Sequence, residues 1–312
     1  MTKVVPDIDA YGTYERRSAL ADALELQAIR RPSFSISELA DYIRDNSWTR
    51  SLDEQFSGPD DVEVDLGEES DASTYAASQV FGILEERRQI LGNKYPFRIE
   101  RSRLHFEGLR DSCLGYYLLL GVTVSHAYGI DIEGVDPRHC FEDLVTSCFE
   151  QKGLLAGNLG RVRRGASNIS EAVGKIGELC KLTPQMGNAV FRRRAQEEGV
   201  DVIAHLDWGD SRSVHWVFII QATCGKSDTW SNKLSEPSPL MWKRALGLRT
   251  LPRPVLAVPH HMQRTTLHYL ADRADGDRLL LDRLRLSNMS GELIDRADEI
   301  CALLDDIEVD FE

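Results

Sequence analysis

The chain has 312 residues, above the roughly 250–300 at which one hydrophobic core usually stops growing, so two folded units are expected. Its formal charge of −13, from 37 Lys and Arg against 50 Asp and Glu, argues against a broadly cationic surface for nucleic acid. Most of the excess is N-terminal: residues 1–136 hold 14 basic and 25 acidic side chains (14 − 25 = −11), and residues 137–312 hold 23 and 25 (23 − 25 = −2). A locally positive face on the C-terminal part is compatible with these numbers.

Cysteine usage and hydropathy bear on the compartment. The six cysteines form no CxxC pair and no regular framework, which argues against a zinc ribbon or a disulfide scaffold and favours a reducing, cytoplasmic location. Pro6, Asp7 and Asp9 interrupt the region where a secretory signal needs an apolar run. The apolar stretch 113–130 is at the short limit for a membrane span, so we expect a buried core segment and no membrane association.

Helical patterns dominate the N-terminal part. Residues 14–30 carry apolar side chains at helical spacing, and Pro32 ends this pattern. A second helix is predicted next, with Ser35 or Ser37 as its N-cap, and a third covers residues 75–91. The first two helices could form a helix-turn-helix, but a small helical bundle is the commoner outcome of such a pattern.

An acidic segment separates these helices. Residues 53–71 hold nine acidic and no basic side chains, which predicts an exposed loop. A sharper hypothesis is that this segment occupies a cationic groove as a mimic of nucleic acid. We interpret residues 1–136 as a mainly helical domain that regulates activity or binds a protein partner.

The pattern changes at Asp136-Pro137, where we place a domain boundary. Two helical patterns follow, and then four β-rich runs, with a helix at 238–246 between the second and third. The β-rich runs are residues 200–206, 215–223, 254–258 and 278–286. This order of helix, paired strands, helix and strand predicts an α/β (α+β) domain over residues 137–312, with a mixed central sheet flanked by helices.

Two polar pairs lie in or beside the later apolar runs. His260 and His261 are adjacent, and adjacent strand residues point to opposite faces, so a surface pair at a strand end is predicted rather than a shared metal site. Asp282-Arg283 lies within an apolar run. An internal ion pair, a partner surface and a residue supporting the site are all open for this pair.

Residues 199–233 carry the most informative polar pattern. Asp201 opens one predicted strand, and Gln221 closes the next, after the apolar run WVFII. A hairpin that turns at residues 207–211 would bring the two side chains close together. Carboxylate, amide and main-chain oxygens are ligands that suit Mg²⁺. The sequence therefore predicts a metal site at this end of the sheet.

At these residues the chain resembles the PD-(D/E)XK nuclease superfamily, and the resemblance covers residues 137–286. It implies a restriction-endonuclease-like fold. It also implies that Asp201 and Gln221 bind Mg²⁺ or Mn²⁺, with the main-chain carbonyl of Ala222 as a third ligand.

The resemblance extends to two further positions. Members of this family often carry a Glu on the first core helix, for which Glu142 is the best match and Glu178 the competitor. The family's lysine, two residues after the second ligand, is replaced here by Thr223, which cannot supply a cation. Lys226 and Lys233 are the candidates for a displaced lysine, and Lys233 is favoured because a helix starting near Trp230 would aim it at the strand ends.

The chemistry implied is metal-assisted attack of water on a phosphodiester. Two arginine islands in this part of the chain would hold the phosphates of DNA, which we expect to be double-stranded. The islands consist of Arg161, Arg163 and Arg164 and of Arg192, Arg193 and Arg194. Trp230 would either stack on an exposed base or pack the helix that follows it.

Together these features predict a metal-dependent DNA endonuclease, with a role in bacterial restriction or anti-phage defence implied by the resemblance alone. The alternative is a catalytically inactive module of the same fold that binds nucleic acid or scaffolds a defence complex. A protein–protein adaptor without nucleic-acid contact is the third class. A homo-oligomer is compatible with each of them.

Overall fold

The computed structural model describes residues 2–53, 69–131, 133–184, 199–210, 212, 214–273, 277–291 and 297–311. Two predicted features lie outside these residues. They are the second arginine island, Arg192, Arg193 and Arg194, and most of the acidic segment, residues 54–68.

The N-terminal part is helical, as its periodicity predicts. Its helices are α1 (Arg16–Arg30), α2 (Ile36–Asp45), α3 (Thr49–Asp53) and α4 (Glu69–Leu91). Ser35 is the N-cap of α2: its hydroxyl accepts the N–H of Glu38, whose carboxylate accepts the N–H of Ser35 in return. Helix α3 ends at Asp53 and α4 begins at Glu69, so the two ends of the predicted acidic loop, residues 53–71, are helical instead.

A hairpin and a buried helix complete this part. Strands β2 (Phe97–Glu100) and β3 (Arg103–Phe106) are antiparallel, and they follow the N-terminal strand β1 (Thr2–Val4) in the chain. Helix α5 (Leu114–Ala127) is the predicted apolar core segment, and its residues from Gly115 to Ser125 are all buried. Across the described ranges, no helix is long and apolar enough to cross a membrane.

A five-stranded mixed sheet forms the C-terminal part, which confirms the predicted mixed α/β class. Its strands, in chain order and in sheet order, are β4 (Leu155–Asn158), β5 (Val202–Leu206), β6 (Trp216–Ala222), β7 (Arg253–Ala257) and β8 (Leu279–Leu281). The first three are antiparallel, and β7 and β8 continue parallel to β6.

Helices cover both faces of this sheet. They are α6 (Pro137–Gln151), α7 (Leu159–Arg164), α8 (Ile169–Leu179), α9 (Trp230–Ser235), α10 (Pro239–Ala245), α11 (Arg264–Arg273) and α12 (Arg283–Met289). On β6, Phe218 and Ile220 pack into the core that contains α5 and α6, whereas Val217 and Ile219 pack against α8 and α10. Residue 221 therefore belongs to the α8–α10 face and residue 222 to the α6 face.

The predicted strand at 278–286 is only half a strand. Its extended part ends at Leu281, and Asp282 then caps α12 by accepting the N–H of Arg285 at 3.1 Å. A side chain that caps a helix competes with continuation of the strand, which is why the apolar pattern LLLDRLRL changes structure in its middle.

The prediction that His260 and His261 form a surface pair is wrong, because each side chain is only 2% exposed. The Nε of Arg87, on α4, lies 3.2 Å from His261 Nδ1, and His260 Nε2 lies 3.2 Å from the carbonyl oxygen of Cys224. Burial lowers the pKa of His260 to about 4. N-terminal helices cover this segment, which the local sequence does not reveal.

The hydrophobic core continues across residue 136. One cluster contains Leu24 and Leu84 together with Phe141 and Ile220. Helix α13 (Ala297–Asp306) packs on α5, and the following strand β9 (Ile307–Val309) pairs in parallel with β1. Elements from both sides of the predicted boundary thus share one core.

Candidate functional site

Asp201 is fixed at the end of the β5–β6 hairpin. Its main-chain N–H donates to the Ile220 carbonyl (2.8 Å), and its own carbonyl accepts the N–H of Leu159 (2.7 Å). Its carboxylate oxygen Oδ2 accepts the N–H of Ala222 at 2.7 Å. Asp201 therefore presents a half-buried carboxylate at the end of β6, where the sequence predicts it.

Gln221 is buried on the opposite face of β6 from α6. Its side-chain amide lies 2.6 Å from the Gly199 carbonyl oxygen and 3.1 Å from Glu236 Oε2; both are acceptors, so the amide nitrogen donates to both. This leaves the amide oxygen turned away from them. Strand pairing sets Gln221 beside the Gly199–Asp201 segment, but its side chain contacts Gly199 and the Asp201 carboxylate contacts the main chain of Ala222.

Lys233 and Gln221 are linked by the carboxylate of Glu236, which contacts both side chains. Helix α9 begins at Trp230, as the sequence predicts, and Lys233 Nζ lies 2.9 and 3.0 Å from the two carboxylate oxygens of Glu236. Glu236 thus contacts both Gln221 and Lys233. The sequence interpretation missed Glu236, although its position three residues after Lys233 is a usual spacing for a helical ion pair.

Lys226 points elsewhere. Its exposed Nζ donates to the Asp9 carbonyl at 2.8 Å, and the same loop binds the N-terminal segment again where the Thr13 N–H donates to Asp228 Oδ2 at 3.2 Å. Thr223 uses its hydroxyl to accept the N–H of Gly225 at 3.1 Å. Of the two candidate lysines, only Lys233 contacts a residue that also contacts a predicted ligand.

Glu142, on α6, and Asp201 both lie beside Gly160. The Glu142 carboxylate lies over Gly160, where an added Cβ would come within 2.7 Å of Glu142 Oε2. The Gly160 N–H in turn faces the Asp201 carbonyl, with 3.4 Å between N and O. The competitor Glu178 is exposed on α8, on the other face of the sheet. The geometry therefore favours Glu142 as the acid that accompanies Asp201.

The pKa of Cys224 is affected by the charged residues of the candidate site. The thiol is buried on the α6 face, and burial raises its pKa well above the ordinary value. The negative charges of Glu142 and Asp201 act in the same direction, while Arg138 opposes them. The thiol is consequently neutral, in keeping with a small packing residue rather than a nucleophile.

The first arginine island lies beside Glu142, on α7. Arg161 forms an ion pair with Asp143, and Arg164 Nη1 lies 4.0 Å from Glu142 Oε2. Arg163 donates to the Ala166 carbonyl at 3.2 Å. Each of these arginines has a partner within the protein, and their role as phosphate ligands stays a prediction.

The alternative of base stacking by Trp230 is ruled out by its burial. The side chain is 0% exposed, and its Nε1–H donates to the Gly225 carbonyl at 2.8 Å. It packs with Leu256 and Met262 beneath α9 and α11. The other option, that Trp230 packs its helix, is the one observed.

The donor set can be compared with what Mg²⁺ requires. Across the described part of the chain, no three His, Cys, Asp or Glu side chains lie together in a group that could hold a metal ion. Mg²⁺ commonly binds through one or two carboxylates and retains several waters, a requirement that Asp201 and Glu142 meet in residue type. The Gln221 side chain, on the face of β6 opposite α6, is not brought to Glu142, so its role as a ligand and that of the Ala222 carbonyl stay predictions.

Compared with protein families, curated proteins and solved structures, the chain shows no match to any of them.

Proposed function

We propose that the protein is a metal-dependent DNA endonuclease of the PD-(D/E)XK type. The observation that carries the proposal is the Glu236 carboxylate, which joins Gln221 to Lys233 beside the segment that ends in Asp201. An acid, an amide and a displaced lysine, the three groups of the resemblance, therefore lie along one end of the β5–β6 hairpin.

The order of elements gives independent support. Helix α6 precedes the antiparallel strands β4, β5 and β6, and helices α9 and α10 then cross over to β7, which is parallel to β6. This arrangement agrees with the restriction-endonuclease-like fold that the resemblance implies. In this order Glu142 lies on the first helix and Asp201 immediately precedes the middle antiparallel strand.

In the proposed reaction each residue has a separate task. Asp201 and Glu142 hold Mg²⁺, which when bound supplies an activated water and compensates charge on the phosphate. Lys233, released from Glu236, orients the attacking water and offsets negative charge as it develops. Arg161 and Arg164 exchange their internal carboxylate partners for phosphate oxygens of the DNA.

A nicking assay on supercoiled plasmid tests this proposal. Cleavage with Mg²⁺ or Mn²⁺ is expected to stop in EDTA and to fall by at least about 100-fold in Asp201→Asn, Glu142→Gln and Lys233→Met. Lys175→Met is the matched control, because Lys175 is an exposed lysine on α8 that pairs with Glu171 (2.7 Å). Wild-type cleavage by Asp201→Asn would overturn the site.

A second candidate function is a non-catalytic module that binds nucleic acid. Thr223 occupies the lysine position, and both nearby lysines are engaged, Lys226 with Asp9 and Lys233 with Glu236. This alternative predicts no nicking but a metal-independent mobility shift that weakens steeply between about 50 and about 200 mM salt. No shift at either salt concentration would instead indicate a protein–protein adaptor.

A further inference from the structure

A cavity of about 530 Å³ opens at the end of the sheet where β7 and β8 begin. Ligand sites in proteins typically measure roughly 300–1,000 Å³, so its size suits a small molecule. The residues that line it include Arg253, Arg273 and Arg278, the acidic Asp277 and the apolar Leu251.

The cavity is positive although the chain is acidic. Among the described residues that line it, three arginines face a single acid, Asp277 (3 − 1 = +2). Asp277 Oδ1 lies 3.1 Å from Arg253 Nη1, but the Asp277 side chain is 84% exposed, and an exposed pair of this kind is weak. The local surplus of cations suits an anionic ligand.

Two of the arginines are oriented by neutral groups. The half-buried Arg278 donates to the Leu234 carbonyl, and burial lowers its pKa, an effect that Asp277 opposes. The Arg273 guanidinium lies 5.4 Å from the centre of the Tyr269 ring and donates to its hydroxyl at 2.9 Å. Both guanidiniums are thus held in place by groups that carry no negative charge.

An apolar wall stands beside these cations. Leu251, which lines the cavity, is 60% exposed, and the buried Pro252 and Pro254 support its segment. A planar ring can lie against such a surface while attached phosphates reach the guanidiniums, whose forked donors match phosphate oxygens.

We propose that this cavity binds nucleoside phosphates, with the phosphates held by Arg253, Arg273 and Arg278 and the base lying on Leu251. The site is separate from the candidate nuclease site. Arg253 begins β7, whereas Ala257 ends it and pairs with Ala222, whose N–H binds Asp201. Four residue steps along a strand span about 13 Å. The inference therefore does not rest on the proposed nuclease activity.

Calorimetric titration of the full chain in EDTA tests this site without the metal that the nuclease proposal requires. ATP is expected to bind, and Arg273→Gln and Arg278→Gln are each expected to weaken its affinity by at least about tenfold. Arg244→Gln is the matched control, since Arg244 is an exposed arginine on α10 that does not line the cavity. Absence of ATP binding, or equal affinity in both cavity variants and wild type, would overturn the proposal.

Two further titrations identify the chemistry that is recognised. Pyrophosphate is expected to bind more weakly than ATP, and Leu251→Ser is expected to weaken ATP but not pyrophosphate. Because Leu251 is exposed, this variant does not disturb the core. Equal affinity for ATP and pyrophosphate would refute recognition of a nucleoside.

Discussion

Arg283 and Asp22 form a bidentate ion pair in the protein core, with Nη1–Oδ1 and Nη2–Oδ2 distances of 2.8 and 2.7 Å. Neither side chain is more than 1% exposed. Arg87 Nη1 lies 2.7 Å from the same aspartate and 2.8 Å from Glu25, which also accepts the hydroxyl of Tyr116. Of the three options for Asp282-Arg283, an internal ion pair is the one observed, although Arg283 pairs with Asp22 rather than with its neighbour.

Removing one member of this network should be costly. Asp22→Asn leaves two buried guanidiniums without their shared carboxylate, so the free energy of unfolding should fall by about 3–5 kcal/mol. Asp41→Asn, which breaks the exposed pair with Arg44 (2.6 Å), should change it by less than about 1 kcal/mol. Urea unfolding of both variants measures the contrast, and equal losses would contradict the buried role.

Glu15 should make stability fall as pH rises. Burial raises the pKa of Glu15 to about 7 from 4.5, although hydrogen bonds from Ser18 and Gln263 oppose the shift. The folded protein therefore binds a proton that the unfolded chain has lost, so this contribution is complete below about pH 4.5 and is lost as pH rises through about 7. Its size is about 3 kcal/mol.

Urea unfolding of wild type and Glu15→Gln at about pH 5 and about pH 8 measures this effect. The wild type should lose more stability than the variant between the two pH values, because Gln cannot ionise. Parallel behaviour of the two proteins would show that Glu15 does not titrate in this range.

Gly199 should be intolerant of a side chain. Its φ is +69°, and an added Cβ would lie 2.6 Å from Glu236 Cβ and 2.9 Å from the Gln221 amide. Gly199→Ala should lower stability by about 1–3 kcal/mol and reduce nicking by displacing Glu236. Gly209→Ala is a close control, since its φ of +70° is nearly the same but nothing lies within 4 Å of its added Cβ. Equal effects of the two substitutions would mean that backbone strain alone is responsible.

Substitution of the two candidate lysines should have different effects on the rate of nicking under single-turnover conditions. Lys233→Met should reduce the rate of nicking by at least about 100-fold, whereas Lys226→Met should change it by less than about twofold, because only Lys233 lies beside Gln221 through Glu236. The reverse ranking would transfer the catalytic role to Lys226 and would require its release from Asp9.

The acidic segment gives a test of competition with DNA. Residues 54–68 hold six acidic side chains between the end of α3 and the start of α4. Replacement by a Gly/Ser segment of equal length should tighten DNA binding at low salt if the acids compete for the arginines. Unchanged affinity in a mobility-shift titration would dismiss this hypothesis.

The sequence predicts the elements of the site better than the direction of its side chains. Asp201 and the start of α9 lie where the pattern indicates, because a polar residue at a strand end and a helix start are local features. The face of the sheet on which the Gln221 side chain lies is not determined by the local sequence. Helices cover both sides of the sheet, so WVFIIQA is apolar without alternation, and a shift of one residue exchanges the two faces.

Other features depend on distant partners. Strand β4 is short and contains Gly157, and its pairing with β5 joins residues that are 44 to 50 positions apart in the chain. The burial of His261 likewise requires Arg87, 174 residues earlier in the chain. Periodicity within a window of residues carries no signal for contacts of this kind.

The pairing of β1 with β9 has a consequence for synthesis of the protein. Thr2 and Ile307 are 305 residues apart (307 − 2 = 305), and Asp22 and Arg283 are 261 apart. At about 5–20 residues per second, a ribosome needs roughly 15–60 s to make the first interval. During that time Asp22 lacks its arginine and β1 lacks its strand, so the nascent N-terminal helices must wait, incompletely packed, for the last elements to emerge.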